Sequence, residues 1–113
     1  MGYMTSYSLK VVPDTVEDEA IEALRRSCEY ARYAINEFGD TEESCKWYDW
    51  RKDISSFSTR YPNAVFEIMG SGEESGDIWR AYIKNGRSEL QKARFVFDDQ
   101  PAWAQESNNE EDV

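Results

Sequence analysis

Asn85-Gly86 stands between two runs of strand-forming residues, 77–84 and 87–98. Both central residues of a two-residue type I′ turn need positive φ, and Asn-Gly meets that need best, with a twist that matches the flanking strands. The chain is therefore expected to hold an antiparallel hairpin at this point. Such a turn sets Ala81 opposite Leu90, on the face of Trp79 and Ile83. Ala93, Phe95 and Phe97 have the opposite parity, which calls for a bulge near Gln91-Lys92 or for partial cover of both faces. A further strand over 64–69, ended by Gly70-Ser71-Gly72, completes a three-stranded antiparallel meander.

Upstream, Tyr7-Ser8-Leu9-Lys10-Val11-Val12 alternates apolar and polar residues, as a strand does, and Pro13 stops it. Asp14 and Thr15 supply N-cap oxygens, with Glu17 and Asp18 three residues behind. Ile21, Leu24, Cys28, Ala31, Ile35 and Phe38 then recur at three- and four-residue spacing. That stripe predicts a helix over 16–38, with a break near Tyr30 and Gly39 as its left-handed cap. A polar loop over 39–44 leads to a second stripe of Trp47, Trp50, Ile54, Phe57 and Tyr61, stopped by Pro62. The order is one N-terminal strand, two helices and the meander. This is an α+β arrangement with helices packed on one face of the sheet. Residues 1–103 read as a single domain and 104–113 as a disordered acidic tail.

Charge narrows the function classes. There are 13 Lys and Arg against 23 Asp and Glu, a net charge of −10. Setting aside Glu106, Glu110, Glu111 and Asp112 leaves 19 of those 23 acids against the 13 bases, so the body is acidic on its own account. Such a field repels nucleic acid and anionic membrane and attracts basic surfaces. Direct nucleic-acid binding is not expected. No apolar run approaches the ~18 residues a membrane span needs, so no membrane partner is expected. Two cysteines, Cys28 and Cys45, lack metal or redox spacing and read as reduced thiols of a cytoplasmic protein.

Histidine is absent. That removes Ser-His and Cys-His pairs, His-ligated zinc and the commonest general base at neutral pH. No catalytic residue, metal ligand or cofactor site is expected. The run Gly70-Ser71-Gly72-Glu73-Glu74-Ser75-Gly76-Asp77 has the glycines of a phosphate loop. It has no Gly-Lys-Ser/Thr, however, and it precedes a strand. Glu73, Glu74 and Asp77 lack EF-hand spacing and read either as a solvated hairpin turn or as an acidic finger for a basic partner. Asp40, Glu42 and Glu43 form a second uncompensated group. Arg80, Tyr82 and Arg94, near Trp79 or Tyr48, form the one arginine-aromatic set suited to stacking a nucleotide, although cross-strand packing with snorkelling arginines is the simpler reading.

The succession Trp47-Tyr48-Asp49, Phe57-Ser58, Tyr61-Pro62, Phe66, Gly72-Glu73-Glu74, Gly76-Asp77-Ile78-Trp79, Tyr82 and Asn85-Gly86 resembles a group of small phage and prophage accessory proteins. The likeness spans about residues 3 to 99 and centres on G-E-E-x-G-D-I-W. It carries no catalytic residues. It implies a phage-encoded protein acting on host machinery, of the anti-CRISPR or anti-restriction kind. The expected function is a non-enzymatic acidic binding protein that inhibits a basic, nucleic-acid-handling host defence protein by occupying its nucleic-acid site. The alternative is a small-ligand binder, such as a nucleotide sponge, built on Arg80, Tyr82 and Arg94.

Overall fold

A computed structural model describes residues 2–104. Four strands, β1 (Thr5–Val12), β2 (Val65–Gly72), β3 (Ile78–Lys84) and β4 (Arg87–Lys92), form one antiparallel sheet in the order β1-β2-β3-β4. The N-terminal strand thus joins the meander and makes it four-stranded. A 3-10 turn over Asp14–Val16, without the side-chain cap expected there, and three α-helices, α1 (Glu17–Ser27), α2 (Glu29–Ala34) and α3 (Trp50–Ser58), fill the connection from β1 to β2. The fold is α+β.

Register explains which face the helices cover. Leu9, Ile68, Ala81 and Leu90 lie side by side across the four strands, and Val11, Phe66, Ile83 and Ser88 form the next row. The apolar members of these rows, Leu90 aside, are buried with Ile21 and Leu24 of α1, Ala31 and Ala34 of α2, and Ile54 and Phe57 of α3. Alternation within each strand sends Lys10, Glu67, Arg80 and Tyr82 to the other face, which no helix among the described residues covers.

Asn85 and Gly86 have φ of 46° and 83°, the left-handed pair a type I′ turn requires, and Ala81 does face Leu90. The parity conflict downstream resolves in a third way. β4 ends at Lys92, Ala93 donates one last hydrogen bond to the Ile78 carbonyl at 2.9 Å, and the chain then leaves the sheet. No bulge and no double cover is needed. Phe95, Val96 and Phe97 instead stand 66%, 86% and 93% exposed.

The long helical stripe is also cut short. Cys28 is extended, at φ −130° and ψ 113°, and separates α1 from α2, which itself ends at Ala34. Gly39 is accordingly no helix cap. At φ +88° it closes a turn back to the Asn36 carbonyl and accepts a hydrogen bond from the Leu9 amide at 2.7 Å. Its neighbours run along the free edge of β1: Thr41 donates to the Tyr7 carbonyl at 2.9 Å, and Thr5 and Cys45 exchange two backbone bonds at 2.8 and 3.0 Å. An open sheet edge invites foreign strands, and this segment closes one of the two.

The second aromatic stripe is helical only over α3, yet its side chains all reach the core or its margin. Trp47 is fully buried before the helix begins, and its indole N–H donates to Asp53 at 2.8 Å. Trp50 stacks on Trp79 with centroids 4.3 Å apart. Of the expected tail over 104–113, Ala104 donates to the Pro101 carbonyl at 3.0 Å, and 105–113 lie outside the described residues.

Candidate functional site

Both acidic groups singled out in the sequence are placed by β1. Its first residue, Thr5, pairs with Gly72 on one side and with Cys45 on the other. Neighbouring strands lie ~4.8 Å apart, so these three residues form a row only about 10 Å wide. Glu73 and Glu74 follow Gly72 directly, while Glu42 and Glu43 sit just before Cys45. Asp40 pairs with Ser8, three residues along β1 or about 10 Å further. Glu42, Glu43, Glu73, Glu74 and Asp77 therefore flank one end of the sheet, and Asp40 lies beside the middle of β1. The acids at the start of α1 belong to its other end, where the Glu17 carboxylate accepts from the Val11 amide at 2.8 Å.

The 73–77 loop is fastened to the chain's beginning. Tyr3 donates its hydroxyl proton to Asp77 at 2.6 Å and accepts from the Glu74 amide at 3.0 Å. Glu73 accepts from the Met4 amide. The turn closes through Gly72 N–H to the Asp77 carbonyl, 2.9 Å, and Asp77 N–H to the Glu74 carbonyl, 3.1 Å. Gly76, at φ +90°, supplies the left-handed residue. Nothing in residue periodicity signals Tyr3 and Met4 as partners of a loop some seventy positions away. The hydrogen bond to Asp77 raises the Tyr3 phenol above its ordinary value of 10.0.

The sign of that shift gives a prediction. A phenol whose folded value is raised holds the loop below pH 10 and lets it go as pH rises through the raised value. An alkaline titration read by the Glu74 amide signal should show loosening that Tyr3→Phe removes, because the variant has no proton to lose. A transition that is the same in both proteins would discard the coupling.

The other group is held similarly. Asp40 accepts from the Ser8 hydroxyl at 3.0 Å, and Glu42 accepts from the Asn36 amide nitrogen at 3.4 Å. Glu42 and Glu43 border an open groove of about 380 Å³ that Arg25, Arg32 and Tyr33 also line. Lys46 lies nearby, against Gly2.

Arg80, Tyr82 and Arg94 are only partly brought together. Arg80 and Tyr82 share the uncovered face, with the guanidinium carbon 5.3 Å from the ring centroid and Nε donating to Gln91 at 2.8 Å. Arg94 lies past the end of β4, and Trp79 faces the opposite side of the sheet. Tyr48 is at the acidic end, where its hydroxyl accepts from the Tyr3 amide at 3.0 Å.

Burial raises both thiols, Cys28 and Cys45, and so works against the thiolate that nucleophilic or metal chemistry needs. Among the described residues no three or more Cys, Asp or Glu groups come together in a way that could hold a metal ion, and no helix is long and apolar enough to cross a membrane. No family model, curated protein or solved structure matches the chain.

Proposed function

We propose that this protein is a non-enzymatic acidic binding protein whose Asp40, Glu42, Glu43, Glu73, Glu74 and Asp77 engage a basic protein surface. The observation that carries the reading is the pairing of Thr5 with both Gly72 and Cys45, which gathers two acidic groups distant in sequence at one end of the sheet. Carboxylates gathered on two loops beside one sheet end suit a site evolved for phosphates. The resemblance to phage accessory proteins extends the proposal to a partner, a nucleic-acid-handling host defence protein that this chain inhibits by occupying its nucleic-acid site.

Affinity capture from a host carrying defence systems, run at low and at high salt, tests it. Screening shortens from ~8 Å at physiological ionic strength to ~3 Å at 1 M, so capture by charge should fall steeply. Recovery of no nucleic-acid-binding protein at either salt would overturn the proposal. Within the acidic end, replacing Glu73, Glu74 and Asp77 together by Gln, Gln and Asn keeps an acceptor oxygen at each position. The melting temperature should therefore stay in place while capture drops. A large melting shift would make the loop's charge structural.

A second reading rests on the Arg80–Tyr82 contact. A nucleotide base stacked there would be held by Tyr82 and its phosphate by Arg80. A ligand at 100 times its dissociation constant stabilises a protein by about 2.7 kcal/mol, so a thermal-shift screen of nucleotides decides this reading. An unmoved melting temperature removes it.

A further inference from the structure

The two edges of the sheet are treated differently. The segment after α2 closes the β1 edge, whereas no segment among the described residues covers the β4 edge in this way. In a hairpin closed by the Asn85-Gly86 turn, Arg87, Glu89 and Gln91 turn their backbone groups toward β3. Ser88, Leu90 and Lys92 therefore turn theirs outward. Of these, only the Ser88 carbonyl meets a described partner, the Arg51 guanidinium at 3.4 Å. Leu90 lies beside the core at this margin and is 36% exposed.

We propose that the β4 edge binds a second copy of this chain, by antiparallel β4–β4 pairing about a twofold axis at Leu90. The outward groups are symmetric about that residue. Leu90 would bond Leu90 of the second copy, and Ser88 would bond its Lys92. Glu89 then faces Gln91 of the second copy, and no like charges stand opposite. A twofold at Glu89 or at Lys92 would set those charges against themselves, which is unfavourable.

Charge and apolar surface agree with this register. Past Ala93, the exposed segment with Phe95, Val96 and Phe97 would run alongside the 85–86 turn of the second copy. A groove of about 410 Å³ opens at that turn, lined by Pro62, Val65, Tyr82, Lys84 and Arg87 among others, with one carboxylate, Glu89. It offers apolar surface for the phenylalanines and two cations for Asp98 and Asp99. Lys10, Arg80, Lys84 and Arg87 outnumber Glu67 and Glu89 on the uncovered face, in a chain of net charge −10. Glu42 and Glu43 beside β1 stay free in this arrangement, whereas the 73–77 loop adjoins it through Phe95, whose ring lies against Gly76.

Sedimentation equilibrium of the full chain should give twice the 13.2 kDa chain mass. Lys92→Pro removes an outward N–H that the sheet itself does not use, and Phe95→Ser with Phe97→Ser removes the exposed rings. Each should weaken the dimer at least ~10-fold. A monomeric chain, or a dimer indifferent to either variant, overturns the proposal. Should Lys92→Pro fail to fold, Glu89→Cys with Gln91→Cys, in a chain whose own cysteines are serine, replaces it. These positions face each other across the twofold as a non-hydrogen-bonded pair with Cα atoms ~4.5 Å apart, within disulfide range. Oxidation to a covalent dimer supports the register, and failure to cross-link overturns it.

Discussion

Alanine at position 47 should cost this protein about 3–5 kcal/mol, a fall in melting temperature on the order of 15–25 °C. Trp47 is wholly buried although it precedes α3. Its ring meets Tyr7 edge-on at 5.7 Å, and its backbone carbonyl accepts from the Tyr7 hydroxyl at 3.3 Å. Its indole N–H donates to Asp53, which also accepts from the Cys28 thiol at 3.6 Å. One side chain thus joins the loop after α2 to β1, α3 and the break between α1 and α2. Truncation leaves a cavity and strips the Asp53 carboxylate of its shortest hydrogen bond. Trp47→Phe, which keeps most of the volume but not the N–H, should lie between the two proteins. Urea unfolding measures both, and a loss below ~1 kcal/mol for the alanine variant would show that the region repacks around the gap.

The second large effect is expected at Gly70. A Cβ there would stand 2.1 Å from Cζ2 of Trp79 and 2.2 Å from Cε2. The indole has little room to retreat, because it stacks on Trp50 and meets Tyr7 edge-on at 6.1 Å. Gly70→Ala must therefore unseat the stack or bend β2, a cost of roughly 1–3 kcal/mol or more. Two stacked indoles give an exciton signal in circular dichroism, and this variant should lose it. Gly86→Ala is the contrast. It pays for a φ of +83° but meets only Thr59 at 3.5 Å, so it should destabilise the turn and leave the stack intact. An unchanged exciton signal in Gly70→Ala would mean that the tryptophans do not depend on the missing side chain.

The elements set by near neighbours were legible in the sequence. Asn85-Gly86 fixed the hairpin and its register because backbone conformation at two residues decides both. Alternation in β1 gave its buried face. What stayed hidden depends on contacts across the chain. The stripe from Ile21 to Phe38 has helical spacing throughout, yet Cys28 is extended, and Phe38 is exposed because residues 36–45 are drawn along the edge of β1. Phe95 and Phe97 are strand formers by composition, but among the described residues no strand lies beside them to pair with. The acids of the candidate site were visible one by one. Their meeting at one end of the sheet follows from the β1–β2 register and from the bridge between Thr5 and Cys45, neither of which leaves a local trace.

The central claim is that the acidic end is a binding surface that substitutes for nucleic acid. Its most direct test is a competition titration on the captured partner, with wild-type chain and a Glu42→Gln, Glu43→Gln, Glu73→Gln, Glu74→Gln variant, which keeps the acceptors for the Asn36 side chain and the Met4 amide, added against labelled DNA or RNA. The wild-type chain should displace the nucleic acid. The variant should have lost at least ~10-fold in affinity, the equivalent of about 1.4 kcal/mol, while keeping its fold. Equal displacement by both proteins, or binding by both without any displacement, would contradict the claim.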